Sequence, residues 1–156
     1  PHLKLLLVGD GPTFTEVQRF VKERGLEQQV ILAGRVPHDE VPGLLAAMDM
    51  AVLPSAGDYT SPVKLFEFMA CGIAPVAPDF EPIQEVLVPG QTGWFFKAGD
   101  MSAAVDSVLA RSADPESLRR VGTAAREYIR AERQWCHNVE QLLNFYLSLG
   151  GCGARG

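Results

Sequence analysis

Cysteine is scarce in this chain, and Cys71, Cys136 and Cys152 are an odd number whose spacing matches neither a metal site nor a disulfide framework. A disulfide-stapled scaffold is thereby excluded, and a reducing compartment is expected. Histidine is equally thin. His2, His38 and His137 stand apart, so no zinc-type ligand cluster and no Ser–His–Asp set is spelled out. No apolar run approaches the ~20 residues of a membrane-spanning helix. No basic cluster appears either, and the formal net charge is −5, so neither nucleic-acid binding nor membrane contact is expected. No secretory leader is read at the amino end, which opens on Pro1.

What remains is 156 residues, 47% hydrophobic and 21% charged, enough for one domain with a sizeable core. Residues 1–149 are expected to form that domain, and the glycine-rich residues 150–156 a flexible tail. Strands are predicted at 3–8, 30–33, 50–53, 74–77 and 94–96. The first is nearly all apolar and reads as buried on both faces, hence parallel. Pro75 points to an edge or a bulge for the fourth. Helices are predicted from 13 or 15 to 24, then at 39–48, 81–88, 101–110, 116–130 and 135–149. Their inward residues are expected to include Val17, Phe20 and Val21; Val105, Val108 and Leu109; Leu118, Val121, Ala125 and Ile129; and Val139, Leu142, Leu143 and Tyr146. Trp135 and Tyr146 read as core or interface residues. Alternating strands and short helices argue an α/β fold, a Rossmann-like parallel sheet flanked by helices. Ligands of such sheets bind outside the carboxyl ends of the strands. The loops at 9–13, 34–39 and 54–62 therefore matter most.

The third of these loops leads into Ser61-Pro62-Val63-Lys64-Leu65-Phe66-Glu67-Phe68-Met69-Ala70-Cys71-Gly72. Pro62 suits a first helical position and Ser61 a cap. The amides of Val63 and Lys64 would then point out of the helix start, where an anion gains roughly 0.3–1 kcal/mol from the dipole. Lys64 and Glu67 lie three apart on one face, and the two carboxylate oxygens of Glu67 could accept both hydroxyls of a ribose. A capped surface helix with a solvated ion pair is the plainer reading of the same residues. Gly9 and Gly11 after the first strand suggest a phosphate loop, but a third glycine is missing and no acid ends the second strand. A tight turn into a helix is the simpler reading there. No Walker lysine is present, and His38 reads as a helix-start or surface residue.

With these segments in order, the chain resembles the C-terminal, donor-binding domain of a GT-B fold, family 4 (retaining) glycosyltransferase. The resemblance runs through Leu5-Leu6-Leu7-Val8-Gly9-Asp10-Gly11-Pro12, Val30-Ile31-Leu32-Ala33-Gly34-Arg35-Val36, Ala51-Val52-Leu53-Pro54-Ser55, residues 61–72, Pro75-Val76-Ala77 and Pro89-Gly90-Gln91-Thr92-Gly93-Trp94. It implies a hexosyltransferase of carbohydrate biosynthesis that takes a UDP- or GDP-linked sugar, with no cofactor and no metal. It also implies that Glu67 binds the donor ribose and that the backbone at Ser61, Val63 and Lys64 cradles the diphosphate, with Thr60 and Tyr59 beside it. Arg35, Val36 and Pro37 would lie against the base. The family's acid facing the donor sugar would fall at Tyr59, and Asp58 one position earlier is the candidate for that catalytic role. The acceptor-binding N-terminal half, and the family's arginine and lysine for the diphosphate, have no counterpart in these residues. The full-length protein is expected in the cytoplasm or at the cytoplasmic face of a membrane. A non-catalytic nucleotide-binding or interaction module, and one half of a sugar-nucleotide epimerase, are the alternative readings.

Overall fold

The computed structural model describes residues 3–54 and 62–150. They divide into two compact units, Pro1–Asp49 and Met50–Gly156. The first unit runs β1 (Leu5–Val8), α1 (Phe14–Glu23), β2 (Val30–Gly34) and α2 (Val41–Leu45). Its two strands pair in parallel, Leu5 opposite Val30 and Leu7 opposite Leu32. The strands are parallel as expected, but the burial is not. Leu5 is 50% exposed, and Leu7, Val8 and Ile31 are exposed as well. Within this unit, a two-stranded sheet has two faces and α1 is the one long helix available to cover them. That helix buries Val21, whereas Phe20 turns outward and carries the Arg24 guanidinium 5.2 Å from its ring centre. The second predicted helix shrinks to one short turn-and-a-half, with Pro42 in its first turn and Gly43 weakening its middle.

The second unit runs β3 (Met50–Val52), α3 (Val63–Ala70), β4 (Ala74–Pro78), α4 (Glu81–Gln84), β5 (Trp94–Phe96), α5 (Met101–Ser112), α6 (Pro115–Glu132) and α7 (Trp135–Gly150). Its parallel sheet has the order β3-β4-β5, so β4 is central and buried along its whole length. Pro75 therefore sits in the middle strand, not at an edge. The Leu53 N–H donates to the Val76 carbonyl, so Val76 turns its polar groups to β3 and Pro75 turns toward β5. The β4–β5 ladder begins only at Val76 opposite Trp94, which leaves the missing proline N–H outside the ladder. Gly93 lies against the proline there; a Cβ on it would stand 2.9 Å from both the Pro75 ring and the Pro75 carbonyl oxygen.

Apolar clusters lie on both sides of this sheet. One gathers Leu53, Leu65, Met69, Ala77, Ile83 and Leu87 with Ala125 and Ile129 of α6. The other gathers Ala74, Val76, Trp94 and Phe96 with Ala104, Leu118 and Val121. Alternation along β4 sends Ala74 and Val76 to the second cluster and Ala77 to the first, as a period of two requires. The inward stripe of α6 is the expected one. In α5 the stripe is rotated: Ala104 is buried and Val108 half-buried, while Val105 and Leu109 face outward. Both helices start on aspartate caps, with the Asp100 carboxylate accepting from the Ala103 N–H at 2.9 Å and that of Asp114 from the Ser117 N–H at 3.0 Å. Asp100→Ala and Asp114→Ala are each expected to cost about 1 kcal/mol in urea unfolding, with an unchanged denaturant slope.

Candidate functional site

The helix start at Val63 forms where an apolar strand has ended and proline blocks further extension of a ladder. Pro62 takes the cap position with ψ 60°, one place earlier in the helix than expected, and among the described residues no side chain caps the turn. The Leu65 N–H turns back to the Pro62 carbonyl at 2.9 Å. Among the described residues, the N–H groups of Val63 and Lys64 have no acceptor. Both residues are exposed. Glu67 follows one turn later and is half-buried. Among the described residues, two amides without acceptors, a lysine and a carboxylate thus gather at the start of α3, an arrangement suited to an anion flanked by hydroxyl groups.

The opposite side of α3 anchors it. Leu65 and Met69 are fully buried against α4, α6 and the sheet. At the far end the Ile73 N–H returns to the Phe68 carbonyl at 3.0 Å and the Gly72 N–H to the Met69 carbonyl at 2.9 Å. This pair of bonds closes the helix through Gly72, whose φ of +78° is strained for any side chain. The Gly72 carbonyl then abuts Gly122 in the middle of α6. A Cβ on Gly122 would overlap that carbonyl oxygen and lie 2.9 Å from its carbon. The sequence offers little signal for this contact, since a lone glycine inside a helical pattern is the only trace of it.

Asp79 is a second residue with a weak sequence signal. It follows β4 directly, donates its N–H to the Phe96 carbonyl at 3.0 Å, and accepts the Ala98 N–H on its carboxylate at 2.6 Å. It ties together the carboxyl ends of β4 and β5.

In the first unit, the Gly9 N–H donates to the Gly34 carbonyl at 2.8 Å, which brings the loops after β1 and β2 together. Gly9 has φ +134°, and neither it nor Gly11 has any atom near the place of a Cβ. The Phe14 N–H bonds to the Gly11 carbonyl at 2.9 Å, so the segment is a tight turn into α1. Arg35 and Pro37 are exposed and Val36 is half-buried in the adjoining loop. His38 is exposed and its carbonyl accepts the Val41 N–H at the start of α2. Asp58, Tyr59, Thr60 and Ser61 lie outside the described residues. Among the described residues, no group of three His, Cys, Asp or Glu side chains is placed to hold a metal ion. No helix there is long and apolar enough to cross a membrane.

Parallel strands flanked by helices define an α/β protein of the Rossmann-like kind. The family model for Glycosyl transferases group 1 matches residues 1–128, and the chain belongs to that family. It is 36% identical over 126 residues to N-acetyl-alpha-D-glucosaminyl L-malate synthase of Bacillus anthracis, covering 81% of this chain and 32% of that protein. Sucrose-phosphate synthase from Thermosynechococcus elongatus superposes with a TM-score of 0.78 at 26% identity, over 96% of this chain and 39% of that one. Anabaena HepE, solved in complex with UDP, superposes with a TM-score of 0.78 at 22% identity, over 95% of this chain and 41% of that one. These neighbours are GT-B enzymes. The chain spans about a third of the length of the curated relatives it matches.

Proposed function

We propose that this chain is the donor-binding half of a retaining glycosyltransferase, which moves a sugar from a nucleoside-diphosphate sugar to an acceptor. The observation that carries the reading is the start of α3, where, among the described residues, the Val63 and Lys64 amides have no acceptor and stand one turn from Glu67. The diphosphate is the leaving group of such a transfer, and its charge grows as the glycosidic bond breaks. Oriented amides and the exposed Lys64 ammonium stabilise that charge without having to reorganise. Glu67 takes the ribose hydroxyls, which fixes the nucleotide's orientation. The base contact is assigned to Arg35, Val36 and Pro37, and the acid facing the donor sugar to Asp58, on the family resemblance. Acceptor recognition belongs to the parts of the relatives with no counterpart here. The isolated 156 residues are therefore expected to bind donor nucleotide weakly and to turn over nothing measurable.

A thermal-shift panel of uridine, guanosine and adenosine diphosphates against inorganic pyrophosphate tests the reading. A ligand at about 100 times its Kd adds roughly 2.7 kcal/mol, which raises Tm by several degrees in a domain of this size. One nucleotide is expected to raise Tm more than the other two, and pyrophosphate less than any nucleotide that binds. Equal shifts with pyrophosphate would remove the ribose contact, and no shift with any ligand would remove the reading.

A further inference from the structure

Arg133 and Gln134 join α6 to α7, and both are pinned. The Arg133 guanidinium donates to the Tyr128 hydroxyl at 2.8 Å and to the Glu85 carbonyl at 2.7 Å. The Gln134 side-chain amide donates to the Ile129 carbonyl at 2.9 Å, closing the last turn of α6. The Gln134 backbone N–H donates to Nδ1 of His137 at 3.3 Å, while the His137 N–H returns to the Gln134 carbonyl at 3.0 Å. His137 is half-buried, and every other described side chain of α7 is exposed. Within this unit the corner is therefore what aims the helix. It is a capping box with histidine in it: the third helical residue reaches back to the N–H of the cap residue, a place where glutamate or glutamine ordinarily stands. An imidazole accepts at Nδ1 only while that nitrogen carries no proton, and histidine gains its charge between about pH 8 and pH 5.

We propose that His137 makes the corner between α6 and α7 sensitive to pH: the neutral ring holds the first turn of α7, and the imidazolium releases it. Protonation turns the acceptor into a second donor facing the Gln134 N–H. It also sets a cation at a helix start, where the backbone field favours anions. Both effects have one sign, so the hold is complete at the alkaline end of the range and is lost as pH falls through it. The other charged and titratable groups of the corner are Tyr128, Glu132 and Arg133 at the end of α6, Glu85 after α4, and Cys136 and Glu140 on α7. The three glutamates are exposed, so water screens their pull on an imidazolium, and Arg133 opposes it.

Heteronuclear NMR of the 156-residue chain, titrated from about pH 8 to about pH 5, is the test. The neutral ring of His137 is expected to carry its proton on Nε2. The Gln134 amide is expected to titrate with that ring, its proton moving upfield as the bond is lost. The Cα shifts of Trp135, Cys136 and His137 should move toward coil values, with the opening constant of that turn rising about tenfold. In His137→Gln the acceptor persists, and these shifts are expected to stay flat across the range. His137→Ala should show the loosened turn at every pH. A neutral ring protonated on Nδ1 would overturn the proposal. So would a Gln134 amide that ignores the ring's titration, a first turn that tightens on acidification, or a His137→Gln chain that titrates like the parent.

Discussion

Glu67→Ala is expected to weaken binding of the preferred nucleoside diphosphate by about ten- to a hundredfold. A carboxylate accepting two ribose hydroxyls makes two charge-assisted bonds, each worth about 1.5–3 kcal/mol. Glu67 is half-buried, so solvent screening holds the loss below the ~3 kcal/mol or more that two such bonds would give; each ~1.4 kcal/mol is a factor of ten. The helix itself should survive, because Leu65 and Met69 hold it from behind. Titration calorimetry with the nucleotide and with pyrophosphate separates the two contributions. Pyrophosphate affinity is expected to stay within about twofold, since its ligands are the amides at Val63 and Lys64. Glu67→Gln keeps one acceptor and should fall between. Unchanged nucleotide affinity in the alanine variant would sink the ribose assignment, and equal losses for both ligands would show that the helix start itself had been disturbed.

Gly122→Ala is expected to produce the largest stability loss of any single-methyl addition in the described residues. Alanine normally gains up to about 1 kcal/mol over glycine inside a helix. Here the added methyl would overlap the Gly72 carbonyl and stand 3.2 Å from the Ala74 nitrogen. Those atoms are backbone, one in the closing turn of α3 and one at the start of the central strand, so neither can swing aside. Overpacking of this kind costs about 1–3 kcal/mol and outweighs the propensity gain. Urea unfolding should show the midpoint falling at constant slope. Gly43→Ala is the control, because nothing lies within 4 Å of a Cβ there. It is expected to be neutral or slightly stabilising. A Gly122→Ala protein as stable as the parent would mean that α6 and the turn at Gly72 separate at little cost.

Much of the fold was legible in the chain before any coordinates. The inward stripe of α6 is a strong local period with clear boundaries, and the strand at Trp94–Phe96 is an aromatic run set off by the turn at 90–93. The helix start at Val63 was legible to within one residue for the same reason: proline and a preceding loop leave few alternatives. The acceptor-free amides there follow from helix geometry alone. Where the structure departs from the expectation, tertiary packing decides: Val139, Leu142, Leu143 and Tyr146 of α7, expected inward, are exposed. Val105 and Leu109 are apolar, and a period of 3.6 cannot say which of two overlapping stripes meets the sheet; Ala104 won because α5 approaches β4 and β5 closely enough to favour a small side chain. Pro75 argued for an edge by a sound rule, yet the ladder with β5 starts one residue beyond it.

The sequence by itself determined that strands and helices would alternate, where most of them run, and which helix start could present amides, a lysine and a carboxylate together. These are local properties, set by side-chain period, proline and glycine. Tertiary structure alone decided that β4 is central, that Gly93 makes room for Pro75, and that Gly122 lets α6 rest directly on the turn that closes α3. Those outcomes depend on which residues meet across long separations in the chain, and packing at that range leaves no periodic trace in the sequence.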